Sequence, residues 1–533
     1  MEWDGPRTQP SFWTPSLPRL ERRLPQHSRL VDLYRALRLA WVALTFPLHL
    51  GLLGLSLLPG FHQALLPAFL SPGKKQGWNP QQRLVYPLLR RIIWAVCDIG
   101  SPGALTPAEE HEVPWWAWAL ERFTVLVGGG ASVKVDVRDA ELPQEAQEGG
   151  WVKEEVLDPR GRITFEPVPV FWFERDGEEA TAAGMGDWRW RARGETDRVV
   201  LYFVGGGFVT GNPAEGSRCF KLARETGLRI AGANFRKAVD PSQAFPAALQ
   251  DALATYAHLV LTLGYRDIVL AGDSAGAGLA VNLLQYLALT VPNASGLALP
   301  SGLLLYSPWS DLTASTYEKQ THTDYEDDII CASMATNSIR SYLLHVNAAH
   351  TPAFLKTLDS PLSPDSVYSL RGKHPWFSPS LPSALPSLTA VAKAYTASPC
   401  PEQDASRTLN NCRLASLPPA SSAPHRPLRF LLTTGKAELF YPEVHDLISN
   451  LRAASRAAAV DSGKPGAEPF LVEAMEAEGE VHAFPLVPEW VSPAARKAAG
   501  RVRRWLVEGV RDEEREKKKA GRGGSLLGTK PGP

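Results

Sequence analysis

Between the β-branched, apolar run Ile268-Val269-Leu270-Ala271 and the helix-like run Gly278-Leu279-Ala280-Val281-Asn282-Leu283-Leu284, the chain carries Gly272-Asp273-Ser274-Ala275-Gly276. Small residues on both sides of a serine, set between a strand pattern and a helix pattern, suit a sharp strand-to-helix turn. Such a turn exposes the serine hydroxyl at the end of a sheet and points a helix N-terminus at whatever reacts there, which favours negative charge. Further short apolar runs fall at Val168–Phe173, Val199–Phe203, Arg229–Phe235, Ile268–Ala271, Leu303–Tyr306 and Leu428–Thr433, and helical patterns at Phe245–Leu263 and Ala277–Leu289. Alternation of this kind predicts βα units and a mostly parallel central sheet flanked by helices, an α/β fold.

A serine hydroxyl is a poor nucleophile until a base takes its proton. An acid at a strand end followed by a histidine completes one known chain order of such a triad. Glu438 follows the strand-like Leu431-Leu432-Thr433-Thr434-Gly435, with Glu443 and Asp446 as fallback acids. Only His445 and His482 come after Glu438. His445 falls within a helical pattern that carries it away from the strand ends. His482 follows the strand-like Phe470–Met475, in a loop beside the sheet. The expected triad is therefore Ser274, Glu438 and His482. Backbone donors for a developing oxyanion are expected from Gly206, Gly207 and Ala275, the first two in the strand-following Val204-Gly205-Gly206-Gly207-Phe208. The rival Gly128-Gly129-Gly130 precedes the first expected strands and reads as a flexible loop. No phosphate-binding loop, dinucleotide fingerprint or zinc-type Cys/His spacing occurs, so neither cofactor nor metal is expected.

Charge and length set further limits. The 56 basic and 56 acidic residues balance, which leaves no net field to hold nucleic acid. The five cysteines are too few for a disulfide scaffold; Cys400 and Cys412 are close enough in sequence to pair in an oxidising compartment, the alternative being five free thiols. From Leu39 to Gly73 there is no Asp, Glu, Lys or Arg, and Leu39–Leu58 supplies the length that a bilayer-spanning helix requires. The adopted reading is a single-pass anchor at about 39–58. A hairpin turning at Pro59-Gly60 and a buried helical pair use the same residues. Basic residues flank the run on both sides, so they do not fix its orientation. The organisation expected is an N-terminal segment with the anchor (1–73), a helical cap and linker region (74–164), the main domain (165–510) with a Ser/Pro-rich insertion or mobile loop (378–427), and a disordered charged tail (511–533).

These pieces resemble the hormone-sensitive lipase-like branch of the α/β-hydrolases, which includes arylacetamide deacetylases and fungal steryl acetyl hydrolases. The resemblance covers roughly residues 165–505. It rests on Val204–Gly207, Phe245-Pro246-Ala247-Ala248-Leu249-Gln250-Asp251, Gly272–Gly276, Ser307-Pro308-Trp309-Ser310-Asp311-Leu312-Thr313, Gly435–Leu439 and Glu480-Val481-His482-Ala483-Phe484, in the family's order. Two departures stand out: Val204 occupies the place where the family's glycine motif begins with His, and the acid is Glu where Asp is common. The resemblance implies an α/β-hydrolase fold with an N-terminal helical cap and membrane anchor. It also implies a serine carboxylester hydrolase for lipophilic short-chain esters such as sterol or aryl acetates. The expected location is the endoplasmic reticulum membrane, with the domain on the luminal side, where the Asn293-Ala294-Ser295 sequon would be glycosylated. The competing readings are a small-molecule binding protein on the same fold, as in receptors of the family that lost the histidine, and a long-chain lipase on lipid droplets.

Overall fold

The computed structural model describes residues 78–93, 111–128, 131–143, 165–176, 198–215, 218–238, 243–291, 297–313, 328–330, 332–344, 377–397, 427–463 and 468–507, together with Pro47 and Gly51. Eight strands form one sheet: β1 Val133–Ala140, β2 Val168–Arg175, β3 Arg198–Phe203, β4 Arg229–Ala233, β5 Asp267–Asp273, β6 Gly302–Tyr306, β7 Leu428–Gly435 and β8 Phe470–Ala477. Their order is β1-β2-β4-β3-β5-β6-β7-β8. The two pairings of β2 are antiparallel, and β4 through β8 run parallel.

The central strands carry unbroken apolar runs, such as Val199–Phe203 and Ile268–Ala271, because helices cover both faces of a parallel sheet. All of β3 and β6 is buried. The helices are α1 Pro80–Ile93, α2 Trp115–Gly128, α3 Arg218–Thr226, α4 Ala247–Ala257, α5 Ala275–Leu289, α6 Ala332–Leu344, α7 Leu385–Ala397, α8 Tyr441–Asp461 and α9, residues 493–507. α4 continues into a π-helical turn, His258–Thr262, so the expected single helix to Leu263 changes its winding near its end. Ser455 of α8 is tied to β8 through both the Phe470 N–H and C=O. α9 lays Trp505 under Arg429 of β7, 4.8 Å from guanidinium to ring.

All six expected strands are present, with ends extended by one or two residues or, for β4, shortened. Two expectations change. The sheet begins at Val133, inside the stretch read as cap and linker, not at 165. β1 is an antiparallel edge strand whose apolar and polar residues alternate (Val133, Lys134, Val135, Asp136, Val137, Arg138), as one-sided burial requires. The stretch 378–427 is also not wholly an insertion or mobile loop. Its first part forms α7, which buries Leu388, Val391 and Ala392, and Tyr395 donates to the Pro300 carbonyl at 2.8 Å. Its apolar face is interleaved with small residues, which composition alone reads as low complexity.

Among the described residues no helix is long and apolar enough to cross a membrane. The anchor expected at about 39–58 lies outside the described residues except for Pro47 and Gly51. The sequon, the Cys400/Cys412 pair and the 511–533 tail lie wholly outside them.

Candidate active site

Four neighbouring parallel strands end at the same edge of the sheet, and each delivers a polar group there. β5 ends at Asp273 and turns into α5 through Ser274, whose φ of 52° and ψ of −122° lie outside the usual regions for a non-glycine residue. The turn is held on both sides: the Ser274 N–H donates to the Tyr306 carbonyl at 2.9 Å, and the Trp309 N–H donates to the Ser274 carbonyl at 3.0 Å. It also needs bare backbone beside it. A Cβ on Gly276 would lie 2.1 Å from the Phe203 carbonyl oxygen and 2.6 Å from that of Val204. Gly276→Ala is therefore expected to destabilise the protein by at least about 3 kcal/mol, since neither contact belongs to a side chain that can move aside. Gly500→Ala on α9, with only an Arg504 side chain nearby at 3.7 Å, should be neutral or stabilising by up to about 1 kcal/mol. Thermal denaturation of the two variants checks the contrast.

After β3 the loop Val204–Phe208 wraps toward the same edge, with Gly206 at φ 120° and Gly207 at φ 64°. The loop is anchored by the residue just before the serine. The Asp273 Oδ1 accepts from the Gly205 N–H at 3.0 Å and from the Tyr202 hydroxyl at 2.8 Å, while Arg218 lies 3.4 Å from its Oδ2. Val204 is fully buried and contributes no polar contact. Asp273 thus supplies a polar anchor for a loop that begins with valine. Among the described residues, no hydrogen bond engages the Gly206 or Gly207 N–H.

β7 leads to Glu438, which is completely buried. Its Oε1 accepts from the Thr434 hydroxyl at 2.7 Å; its Oε2 accepts from the Ser307 hydroxyl at 2.6 Å and the Gly435 N–H at 3.2 Å. β8 leads to His482, whose Nδ1 lies 3.9 Å from the Glu438 Oε2 and has no hydrogen-bond partner among the described residues. The imidazole meets Phe440 edge to face at 5.0 Å, and Phe440 stacks on Trp309 at 5.3 Å, so an aromatic wall runs from the serine turn to the histidine. Burial pushes His482 down to about 3, with the Arg218 cation adding to it, so the imidazole is neutral. Burial, then the like charge of Asp328, pushes Glu438 up to about 8.

The other residues weighed for this role go elsewhere. His445 sits half-exposed on α8, 3.5 Å from Glu476. Glu443 is buried but accepts from the Ser310 N–H at 2.8 Å, and Asp446 is exposed. Gly128 closes α2, ahead of the far edge strand β1. Sequence reasoning passed over Ser307, which follows β6 at φ 44°. Its hydroxyl donates to Glu438 and accepts from the Ala483 N–H at 2.9 Å, joining the acid loop to the histidine loop. Its place in the Ser307–Thr313 motif was the available signal. A cavity of about 420 Å³ lies between α1, β8 and the start of α9, and none of Ser274, Glu438 or His482 lines it.

Residues 200–370 match the model of the α/β-hydrolase fold family. An acetyl-hydrolase of Streptomyces hygroscopicus is 36% identical over 129 residues, 24% of this chain and 40% of that protein. An esterase of Acinetobacter venetianus is 28% identical over 155 residues, 29% of this chain and 48% of that one. The chain thus spans less than half the length of these relatives. Among solved structures, it is similar to a hormone-sensitive lipase from a metagenome library (TM-score 0.41, 18% identity, 75% of this chain and 99% of that one). It is likewise similar to the esterase LipW from Mycobacterium marinum (TM-score 0.43, 19% identity, 82% and 98%). The parallel β4–β8 core and the serine turn at the end of β5 agree with the α/β-hydrolase fold that residues 200–370 match.

Proposed function

We propose that this chain is a membrane-anchored serine carboxylester hydrolase that removes short acyl groups from lipophilic esters such as sterol or aryl acetates. The observation that carries the hydrolase reading is the arrangement at one sheet edge: a strained serine at a helix N-terminus, and a buried histidine whose otherwise unpartnered Nδ1 faces a buried carboxylate. Ser274 Oγ attacks the ester carbonyl carbon, and His482 Nε2 takes its proton. Glu438 orients the imidazole through Nδ1 and stabilises its cationic form. The N–H groups of Gly206, Gly207 and Ala275 receive the oxyanion. The C–O bond to the alcohol then breaks, and His482 returns the proton to the departing oxygen. Water, deprotonated by His482, attacks the acyl-enzyme and releases the carboxylic acid with Ser274 restored. Every proton is exchanged among substrate, water and these side chains.

The acyl preference is proposed from the acetyl-hydrolase relative, and the apolar alcohol and the membrane from the uncharged Leu39–Gly73 run. Trp115 and Leu126, both more than three-quarters exposed at opposite ends of α2, add apolar surface outside the core. In this reading α1 and α2 belong to a cap region, and the domain faces the lumen of the endoplasmic reticulum. Protease digestion of sealed microsomes checks the topology: a protected hydrolase domain is expected, and a digested one would place it in the cytosol. Val204 and the 3.9 Å gap at His482 favour a second reading, a binding protein that has lost turnover. A fluorophosphonate probe separates the two. It should label detergent-solubilised protein at Ser274; a folded protein that resists labelling would be a binder.

A further inference from the structure

Asp328 is a buried carboxylate outside the proposed triad, in the connection between β6 and α6. Its Oδ2 accepts from the N–H of Leu439, the residue after Glu438, at 2.8 Å. Its Oδ1 accepts from the N–H of His482 itself at 2.7 Å and from that of Ile329 at 2.7 Å. One side chain therefore holds the backbones of the acid loop and the histidine loop, 111 and 154 residues away in sequence. Arg90 of α1 holds Asp328 in turn, donating through Nη1 to its carbonyl at 3.0 Å.

We infer that Asp328 is a positioning residue that sets the separation of Glu438 and His482, and that Arg90 seats it from α1. The inference rests on the hydrolase reading above. Two backbone N–H groups fixed on the two oxygens of one rigid carboxylate leave the loops little freedom to slide apart. The geometry that matters is fine, because displacing a catalytic group by about 1 Å costs about 100-fold in rate. The charged groups that face Asp328 among the described residues are Glu438, whose ionisation it opposes, and Arg90, which favours its own charged form. Burial pushes Asp328 up to about 7. A chain assembled only for stability would have no need of a second carboxylate beside the acid, where apolar packing costs less.

The test is Asp328→Asn in the full chain, assayed with p-nitrophenyl acetate. The asparagine keeps one oxygen for the His482 N–H but turns an amide donor toward the Leu439 N–H. We expect kcat to fall about 30- to 100-fold with KM changed less than about threefold, since the ester does not touch Asp328. The acid limb of kcat/KM should also move to lower pH, because Glu438 loses a like charge. A role confined to stability would lower the melting temperature and leave kcat of the folded protein within twofold. Arg90→Met keeps the carboxylate and its three N–H partners, and covers the case in which Asp328→Asn does not fold; its kcat should fall about three- to tenfold. Folded variants with kcat within twofold of the unsubstituted protein would overturn the inference alone, whether or not the limb moves. Absence of turnover by the unsubstituted protein would remove the hydrolase reading and this inference with it.

Discussion

Ser274→Ala protein is expected to fold as the unsubstituted chain does and to hydrolyse p-nitrophenyl acetate about 10⁵- to 10⁶-fold more slowly. The size of the effect follows from the site. Without Oγ there is no acyl-enzyme, and the remaining donors can only polarise a carbonyl for water, which leaves about 10³- to 10⁴-fold over the uncatalysed reaction. His482→Ala should cost about as much, and the double substitution little more, because base and nucleophile act as one unit. The turn itself should survive the loss of the hydroxyl, as its two hydrogen bonds to Tyr306 and Trp309 are made by backbone atoms. Matched melting temperatures with activity within tenfold of the unsubstituted protein would move the nucleophile elsewhere.

The second large effect concerns Glu438. Glu438→Gln should lower kcat about 10⁴-fold, because a neutral amide cannot stabilise the imidazolium and offers an N–H where an acceptor is needed. The unsubstituted protein should show a matching pH dependence. Glu438 is pushed up to about 8 and His482 down to about 3, so the dyad takes its proton on the carboxylate side first as pH falls. A protonated carboxyl cannot stabilise the imidazolium that forms when Nε2 takes the Ser274 proton. kcat/KM should therefore be full above pH 8 and fall about tenfold per unit below it. A plateau extending to pH 5 would mean that Glu438 of the free protein lies in the ordinary carboxylate range.

The parallel core was legible because its strands are buried on both faces and read as unbroken apolar runs. β1 was not, since it is half exposed and sits in a stretch read as cap and linker. α7 was obscured by composition: its run of small residues, buried Ala392 among them, resembles a linker. At the site, chain order and placement singled out Ser274, Glu438 and His482, and each of them follows a strand in the structure. The groups that tie them together gave weaker signals. Asp273 lay inside the serine pentapeptide and Ser307 inside a motif used only for resemblance. Asp328 had no motif around it; its two loop partners are brought to it by the fold alone.

α1 bears on how this protein can be produced. Tyr86 donates to the Glu480 Oε2 at 2.5 Å, Gln82 to its Oε1 at 2.9 Å, and the Trp78 indole N–H to the Gly479 carbonyl. With Arg90 on Asp328, residues 78–93 brace the loop that bears His482 from behind. A shortened gene product starting at β1 would keep every strand of the sheet and every residue of the proposed triad. It would still leave Glu480 buried without two of its donors and expose the apolar back of the loop to water. Such a protein would express as a folded sheet with a slack, aggregation-prone rim, so solubility trimming should stop ahead of Trp78.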